Sequence, residues 1–288
     1  MKSEAESFKS KPRALNGGVL CENRVRAIFL YSARKPPYAW FPMLLVVAAL
    51  EEELKTGMSL CHAQKKTPHR NLNMWQANRN DKTIGFLKAG VGPGRAAASL
   101  EEALKIVKAS TILLVGYAGA LDPDLRLGDL VAVSRALAFS LDIDNPTWEN
   151  VQLDGTFELA QGEALARTAN SLGLTAYAGD VLTSSYVLGD PVHKSLLYEK
   201  FHASMVDMET AAIARVAASK EVPFSCIRAI SDEARDTFLA PFSHDPSSNI
   251  AARAGKLLNK GMLRTYREWK ANTRIAQKSL TRFLSHYL

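Results

Sequence analysis

Acidic side chains follow two apolar, strand-like runs that lie far apart in the chain. Residues 44–50 lead into three glutamates that end at Glu53, and residues 226–230 lead through a serine to Asp232. A third acidic motif ends at Glu209 and runs into an alanine-rich helical stretch. Because the carboxyl ends of parallel strands meet at one rim of a sheet, we expect these carboxyl groups to share one cleft. Three carboxyl groups around one cleft would suit acid–base chemistry on a small polar molecule.

Each of these motifs also has a purely structural interpretation. Glutamates at a helix start complement the helix dipole, and an aspartate such as Asp232 can cap a helix. Met208 could be an ordinary core residue. The segment 90–94 is either a tight turn or a place, at Gly92, where the backbone approaches a ligand closely. It does not match a dinucleotide loop, because Arg95 stands where that fingerprint needs its last glycine.

Length and charge exclude several classes of protein. The 288 residues fit one large α/β domain or two smaller ones, and no apolar stretch reaches transmembrane length. The net charge of +7 belongs to the two ends, with +5 in residues 1–42 and +6 in residues 259–288, which leaves −4 between them. A nucleic-acid-binding face across the middle of the chain is therefore not expected.

Cysteines and histidines show no pattern of a disulfide framework or a metal site. The three cysteines are far apart and form no Cys-x-x-Cys motif, and the six histidines lack metal-ligand spacing. We therefore expect no metal and no cofactor. A chain with this cysteine content is typical of a reducing compartment, which predicts a cytoplasmic location.

The alternation of apolar runs and helical stretches predicts a layered domain. Residues 1–42 are polar and basic, which predicts an extension with little fixed structure. Residues 43–265 predict a three-layer α/β/α domain with a central mixed sheet. Its strands are predicted at 44–50, 83–88, 111–115, 130–133, 179–183 and 224–230, and its helices from 51 and at 95–108, 190–201, 208–219 and 249–270. The stretch 137–155 predicts an irregular loop over the site.

Residues 266–288 form a third predicted region. Arg274, Lys278 and Arg282 recur every four residues, with apolar side chains between them. This is the pattern of a basic amphipathic helix. It predicts either a helix docked on the domain or a peripheral contact with an anionic membrane surface.

Six segments together resemble the purine/uridine phosphorylase superfamily and, within it, the nucleosidase branch. They occur in the family's order within residues 43–262, and they look like the 5′-methylthioadenosine/S-adenosylhomocysteine nucleosidases. The segments are 49–53, 90–94, 116–119, 128–131, 206–210 and 228–232. The resemblance implies a nucleoside phosphorylase-like fold, a homodimer, and a purine-nucleoside N-ribohydrolase that releases adenine from a 5′-modified adenosine.

The resemblance also implies a role for each polar residue of these motifs. Asp232, which follows Ser231, matches the family's acid at purine N7, because the departing base must be protonated. Glu53 matches the base that takes a proton from the attacking water, and Arg228 matches a residue that helps to orient that water. Glu209 matches the carboxylate that accepts hydrogen bonds from the ribose hydroxyls.

Further positions are implied to contact the sugar and the base. Met208 matches a residue that packs on the sugar, and Tyr117 occupies a position where the nucleosidases commonly carry serine. Val187 aligns with a phenylalanine that stacks on adenine, and the adjacent Tyr186 offers an aromatic face. With Ser231 and Gly92, these residues complete the predicted substrate-binding set.

Two other functions compete with hydrolysis. In a phosphorylase of this superfamily, an arginine that binds phosphate stands at the position of Leu114, and a leucine cannot replace it. Water is thus favoured as nucleophile over phosphate. The alternatives are a phosphate-dependent purine nucleoside phosphorylase and a non-catalytic nucleoside-binding protein on the same fold.

The resemblance implies methylthio and homocysteinyl as the default 5′ groups of the substrate. The alternative is adenosylhopane, the substrate of a hopanoid-associated branch, which would suit the basic tail at a membrane.

Overall fold

The computed structural model describes residues 43–66, 72–140, 151–237 and 260–288. Strands and helices alternate along most of this length. The strands are β1 (Met43–Ala48), β2 (Gln64–Lys66), β3 (Asn73–Arg79), β4 (Lys82–Lys88), β5 (Ala109–Ala120), β6 (Leu130–Ser140), β7 (Gln152–Glu158), β8 (Ala176–Thr183), β9 (Met205–Asp207) and β10 (Phe224–Asp232). The helices are α1 (Glu51–Leu60), α2 (Pro93–Ile106), α3 (Gly162–Ser171), α4 (Pro191–Phe201), α5 (Thr210–Ser219) and α6 (Lys260–Tyr287).

The described strands form one mixed sheet, as predicted. Its order is β10-β6-β8-β9-β5-β1-β4-β3-β2, and β7 pairs with β6. Strand β10 also pairs with β5, so that β5, β9, β8, β6 and β10 close into a ring. The remaining strands extend from this ring as an open sheet that ends at β2.

The sheet directs several chain segments to one rim. Strand β1 runs parallel to β4 and β5, and β10 runs parallel to β5, so the carboxyl ends of all four lie together. Strand β9 is antiparallel to β5, with Val206 opposite Gly119 near the end of β5. This pairing brings the residues that follow β9 to the same rim.

Helices cover both faces of the sheet and complete the predicted three layers. Leu100 of α2 and Ile213 of α5 are fully buried in the core on one face. Leu54 of α1, Leu165 of α3 and Leu280 of α6 are buried in the core on the other face. Buried strands with apolar residues on both faces, such as Val46 and Val47 of β1, separate the two cores.

Most predicted strands and helices of the domain are confirmed with small shifts at their ends. The strand predicted at 111–115 is longer and runs to Ala120, and the end predicted at 270 for the last helix is wrong, because α6 continues without a break to Tyr287. The loop predicted at 137–155 is wrong for the described residues, because 137–140 belong to β6 and 152–155 belong to β7, its antiparallel partner. Strands β2, β3, β7 and β9 and helix α3 have no counterpart among the predicted elements. The predicted extension 1–42, residues 141–150 and the start of the predicted helix at 249 lie outside the described residues.

Helix α6 packs its apolar side chains against the domain. It contacts β10 and α1, and Ala276, Leu280, Phe283 and Leu284 are buried. The basic residues Arg274, Lys278 and Arg282 are exposed. Any contact between this helix and a membrane therefore depends on the basic side chains and not on the buried apolar ones. Among the described helices, none combines the length and apolarity that crossing a bilayer requires.

Removal of the Phe283 ring should destabilise the domain. The side chain is fully buried between α6 and the sheet. We expect Phe283→Ala to lower the free energy of unfolding by about 3–5 kcal/mol, as measured by chemical denaturation. Lys278→Ala, on the exposed side of the same helix, is the control and should change it by less than about 0.5 kcal/mol. Equal effects of the two substitutions would show that α6 is not docked.

Candidate active site

A cleft of about 740 Å³, open to solvent, lies at the rim where the parallel strands end. Its wall is formed largely by apolar side chains and backbone, with four acidic side chains among them. These acidic residues are Glu53, Asp207, Glu209 and Asp232. Although they come from distant parts of the chain, the topology of the sheet brings them to one cavity.

Eight of the ten predicted site residues line this cleft. They are Glu53, Tyr117, Tyr186, Val187, Met208, Glu209, Ser231 and Asp232. The other two are Arg228, which is buried behind the wall, and the partly exposed Gly92; each contacts Glu209. Arg228 is placed 3.3 Å from Glu209 Oε2, and the Gly92 N–H donates a hydrogen bond of 2.9 Å to Glu209 Oε1.

Glu53 is held in the first turn of α1 by backbone donors. The N–H of Leu50 donates to its Oε2 over 2.7 Å, and the N–H of Tyr117 donates to its Oε1 over 3.0 Å. Burial raises the pKa of Glu53, against the opposing effect of the Arg228 charge and the two N–H groups. A buried carboxyl that still faces a cleft and has a raised pKa is a stronger base than an ordinary glutamate.

Asp207 connects the guanidinium of Arg228 to the start of α5. Its Oδ2 lies 2.5 Å from Arg228 Nη2, and its carboxylate accepts hydrogen bonds from the N–H of Thr210 and the hydroxyl of Thr183. The Thr210 N–H is one of the donors of the first helical turn that lack a partner within the helix, and Asp207 supplies an acceptor for it. It thereby fixes the place of Glu209, which lies two residues further on.

Glu209 and Arg228 are both buried, and each changes the ionisation of the other. Burial, with a smaller contribution from Asp207, raises the pKa of Glu209 to about 7, although Arg228 opposes the shift. Burial alone would lower the pKa of Arg228, but the charges of Asp207, Glu209 and Glu53 outweigh it and raise that pKa. The guanidinium of Arg228 therefore stays charged. Together with Glu53, Asp207 and Glu209 it forms the acidic corner of the cleft.

Asp232 ends β10 with a partner on each carboxylate oxygen. Its Oδ2 lies 2.5 Å from Nζ of Lys194, and its Oδ1 lies 3.0 Å from the hydroxyl of Ser231. A Cβ at Gly119 would approach Oδ2 to 2.7 Å, so the absence of a side chain there lets the carboxyl lie against β5. Asp232 is thus fixed in position before any ligand binds.

The segment after β8 forms the outer wall of the cleft. Tyr186 and Val187 both line it, although 39% and 37% of their surfaces are exposed. Both are therefore available to a ligand at the position where the resemblance implies stacking on the base. Tyr117 is half-buried deeper in the cleft, and burial beside Glu53 raises the pKa of its hydroxyl.

Two charged residues of the site were not among the predicted ones. Asp207 stands two residues before Glu209 and three before Thr210, a spacing at which an aspartate can cap a helix. That signal was available in the sequence. Lys194 was not detectable in this way, because a lysine in the first turns of a helix is typical of an exposed position.

The chain matches known proteins over most of its length. A family model described as the phosphorylase superfamily matches residues 44–288. The 5′-methylthioadenosine/S-adenosylhomocysteine nucleosidase of Glaesserella parasuis is 27% identical over 218 residues, which cover 71% of this chain and 94% of that protein.

Two solved structures share the fold. The 5′-methylthioadenosine/S-adenosylhomocysteine nucleosidase of Helicobacter pylori has a TM-score of 0.65 at 19% identity and covers 85% of this chain and 98% of its own. The futalosine hydrolase of the same organism has a TM-score of 0.64 at 18% identity, with coverage of 85% and 98%.

A side chain at Gly116 should disturb the acidic corner of the cleft. A Cβ there would collide with Arg228 Nη1 and lie 2.6 Å from Glu53 Oε1, so both side chains would have to move. We expect Gly116→Ala to destabilise the protein by about 1–3 kcal/mol, as measured by chemical denaturation. Gly94→Ala is the matched control, because its Cβ would meet no atom within 4 Å. An equally small effect at both positions would contradict the close packing described here.

Ionisation of Glu209 should reduce stability as the pH rises. Its pKa is raised from 4.5 to about 7 in the folded protein, so the folded state binds more protons than the unfolded state in that interval. Stability linked to Glu209 is therefore present at low pH and lost as the pH rises through the folded pKa. We expect Glu209→Gln to gain stability relative to the wild type between about pH 5 and about pH 8, measured by denaturation at each pH. A difference that is constant with pH would contradict this linkage.

Proposed function

The chain belongs to the phosphorylase superfamily, and on that premise we propose that it hydrolyses the N-glycosidic bond of a 5′-modified adenosine and releases adenine. The observation that carries this proposal is the presence of Glu53, Glu209 and Asp232 in one cleft. The similarity to a 5′-methylthioadenosine/S-adenosylhomocysteine nucleosidase over 71% of the chain agrees with it.

The departing base needs a proton, and Asp232 is the proposed donor. As the bond between the sugar and N9 breaks, its electron pair passes to the purine, and N7 takes a proton from the carboxyl of Asp232. The contacts of Asp232 with Ser231 and Lys194 hold the carboxyl in place. Tyr186 and Val187 form the wall proposed to contact the base.

The sugar side of the reaction is assigned to Glu209, Met208 and Glu53. Glu209 accepts hydrogen bonds from the ribose hydroxyls, and Met208 packs on the sugar. Water attacks the anomeric carbon and gives its proton to Glu53, whose raised pKa makes it a stronger base than an ordinary glutamate. One carboxyl acts as acid and another as base on opposite sides of the bond, as in inverting glycoside hydrolysis.

Arg228 acts from behind the cleft wall. Its Nη2 pairs with Asp207 and Glu209, so its effect on the attacking water passes through the carboxylates that it holds. In the proposed site, Gly92 likewise acts through its N–H bond to Glu209.

The lining of the cleft favours water over phosphate as the nucleophile. Among the described residues that line it, none is a lysine or an arginine. Leu114, at the position where the resemblance places a phosphate-binding arginine, is fully buried in the core. A phosphate ion bound in this cleft would meet acidic side chains without the cationic partners that it needs.

The alternative of a non-catalytic binding protein is disfavoured by the buried acids. Three buried carboxyl groups in an apolar cleft reduce stability, and a purely binding site could use neutral donors and acceptors instead. The methylthio or homocysteinyl group is the proposed 5′ substituent, in agreement with the name of the curated relative; adenosylhopane is the alternative.

Several features of the proposal rest on the sequence patterns or, for the homodimer, on the family resemblance alone. A homodimer, a cytoplasmic location, the boundaries of the three chain regions, and a membrane contact through the exposed basic residues of α6 stay predictions.

Substitution of the acid should abolish most of the activity. We expect Asp232→Asn to lower the rate of adenine release from 5′-methylthioadenosine by roughly 10²- to 10⁴-fold, measured by chromatography. Asp124→Asn, at an exposed position outside the cleft, is the control and should retain the wild-type rate.

Adenine release by the wild type should not need phosphate. Strict phosphate dependence would instead establish a phosphorylase, and no release from any purine nucleoside would favour the binding protein.

A further inference from the structure

Lys194 is fully buried and pairs directly with Asp232. It lies in α4, with 0% of its surface exposed, and among the described residues it is the one lysine whose side chain is buried. Its Nζ lies 2.5 Å from Asp232 Oδ2 and 2.9 Å from the backbone oxygen of Glu233. The ammonium therefore contacts two successive residues at the end of β10.

Stability alone does not explain why a lysine is buried at this position. Transfer of an ammonium group from water into the interior is costly even when it is paired. The positive end of the α4 dipole also lies near, because Lys194 is in the first turns of that helix and the helix starts at Pro191. A neutral side chain of the same length would avoid both penalties.

We propose that Lys194 is a positioning residue that makes Asp232 a stronger acid at the moment the glycosidic bond breaks. The inference rests on the hydrolase function proposed above. In the proposed reaction Asp232 is the proton donor. As the sugar–base bond breaks, the proton moves to N7 of the purine and a carboxylate remains beside the ammonium of Lys194, which keeps its own protons.

The attraction between the two groups therefore grows during the reaction. An ammonium interacts weakly with a neutral carboxyl and strongly with a carboxylate, above all where water is excluded. An interaction that is stronger in the transition state than in the ground state lowers the barrier. The expected signature is a lower kcat with little change in KM when the charge of Lys194 is removed.

The same contact links the acid to the base-binding wall. Residues Tyr186, Val187 and Leu188 line the cleft, and α4 begins three residues later. Because Lys194 anchors α4 to the end of β10, it also fixes the distance between this wall and the carboxyl of Asp232.

Two substrates with different leaving groups test the inference. The first is 5′-methylthioadenosine, whose base must be protonated as it departs. The second is the 4-nitrophenyl riboside with the same 5′-methylthio group, whose phenolate departs without a proton. We expect Lys194→Gln to lower kcat roughly 10- to 100-fold on the first substrate, the rate equivalent of one charge-assisted hydrogen bond. On the second substrate the variant should stay close to the wild type.

Matched variants separate the charge from the packing. Lys194→Met removes the charge with a side chain of similar length and should behave like Lys194→Gln, so it replaces that variant if the glutamine prevents folding. Lys194→Arg keeps the charge and should retain more activity than either. Lys200→Gln, the same change on the last turn of the same helix, should leave both rates unchanged.

Two results would overturn the inference. One is a wild-type rate on 5′-methylthioadenosine in the charge-free variants; the other is an equal loss on both substrates, which would indicate a structural role. Failure of the proposed function itself would look different, because the wild type would then release no adenine in the absence of phosphate.

Discussion

One buried guanidinium holds the acidic corner of the cleft together. Arg228 contacts Asp207 and Glu209 directly, and its charge opposes the rise in the pKa of Glu53. Without a cation, carboxyl groups so close together could not all remain ionised in a buried site. Burial nevertheless outweighs Arg228 at Glu53 and Glu209, whose pKa values both end above their usual range. At least one of these carboxyl groups, that of Glu209, can change protonation near neutral pH, because its pKa is about 7.

The same corner connects the helices to the sheet. Asp207 accepts the N–H of Thr210 at the start of α5 and pairs with Arg228 of β10, while Glu53 of α1 accepts the backbone N–H of Tyr117 in β5. Each acid is therefore oriented by contacts with a different secondary-structure element. In such an arrangement the geometry of the cleft depends on the packing of the domain, and no flexible loop is needed to bring the acids together.

Much of this arrangement could be predicted from particular residues. Apolar runs that end in acids place Glu53 and Asp232 at strand ends, because fully apolar strands belong to a sheet covered on both faces. Strands such as β3 and β9 were missed, since β3 alternates polar and apolar residues weakly and β9 has only three residues. Lys194 was missed for another reason: its partner comes from a distant strand, and no local pattern records such a contact.

The order of the strands also affects how the protein resists aggregation. Where β5, β9, β8, β6 and β10 close into a ring, their backbone groups are paired and offer no template to another chain. The free edges of the described sheet belong to β2 and β7. Strand β2 is only three residues long and carries Lys65 and Lys66, and β7 carries Asp154 and Glu158. A short edge and charged side chains both oppose edge-to-edge association, so the two ends of the sheet protect it from adding further strands.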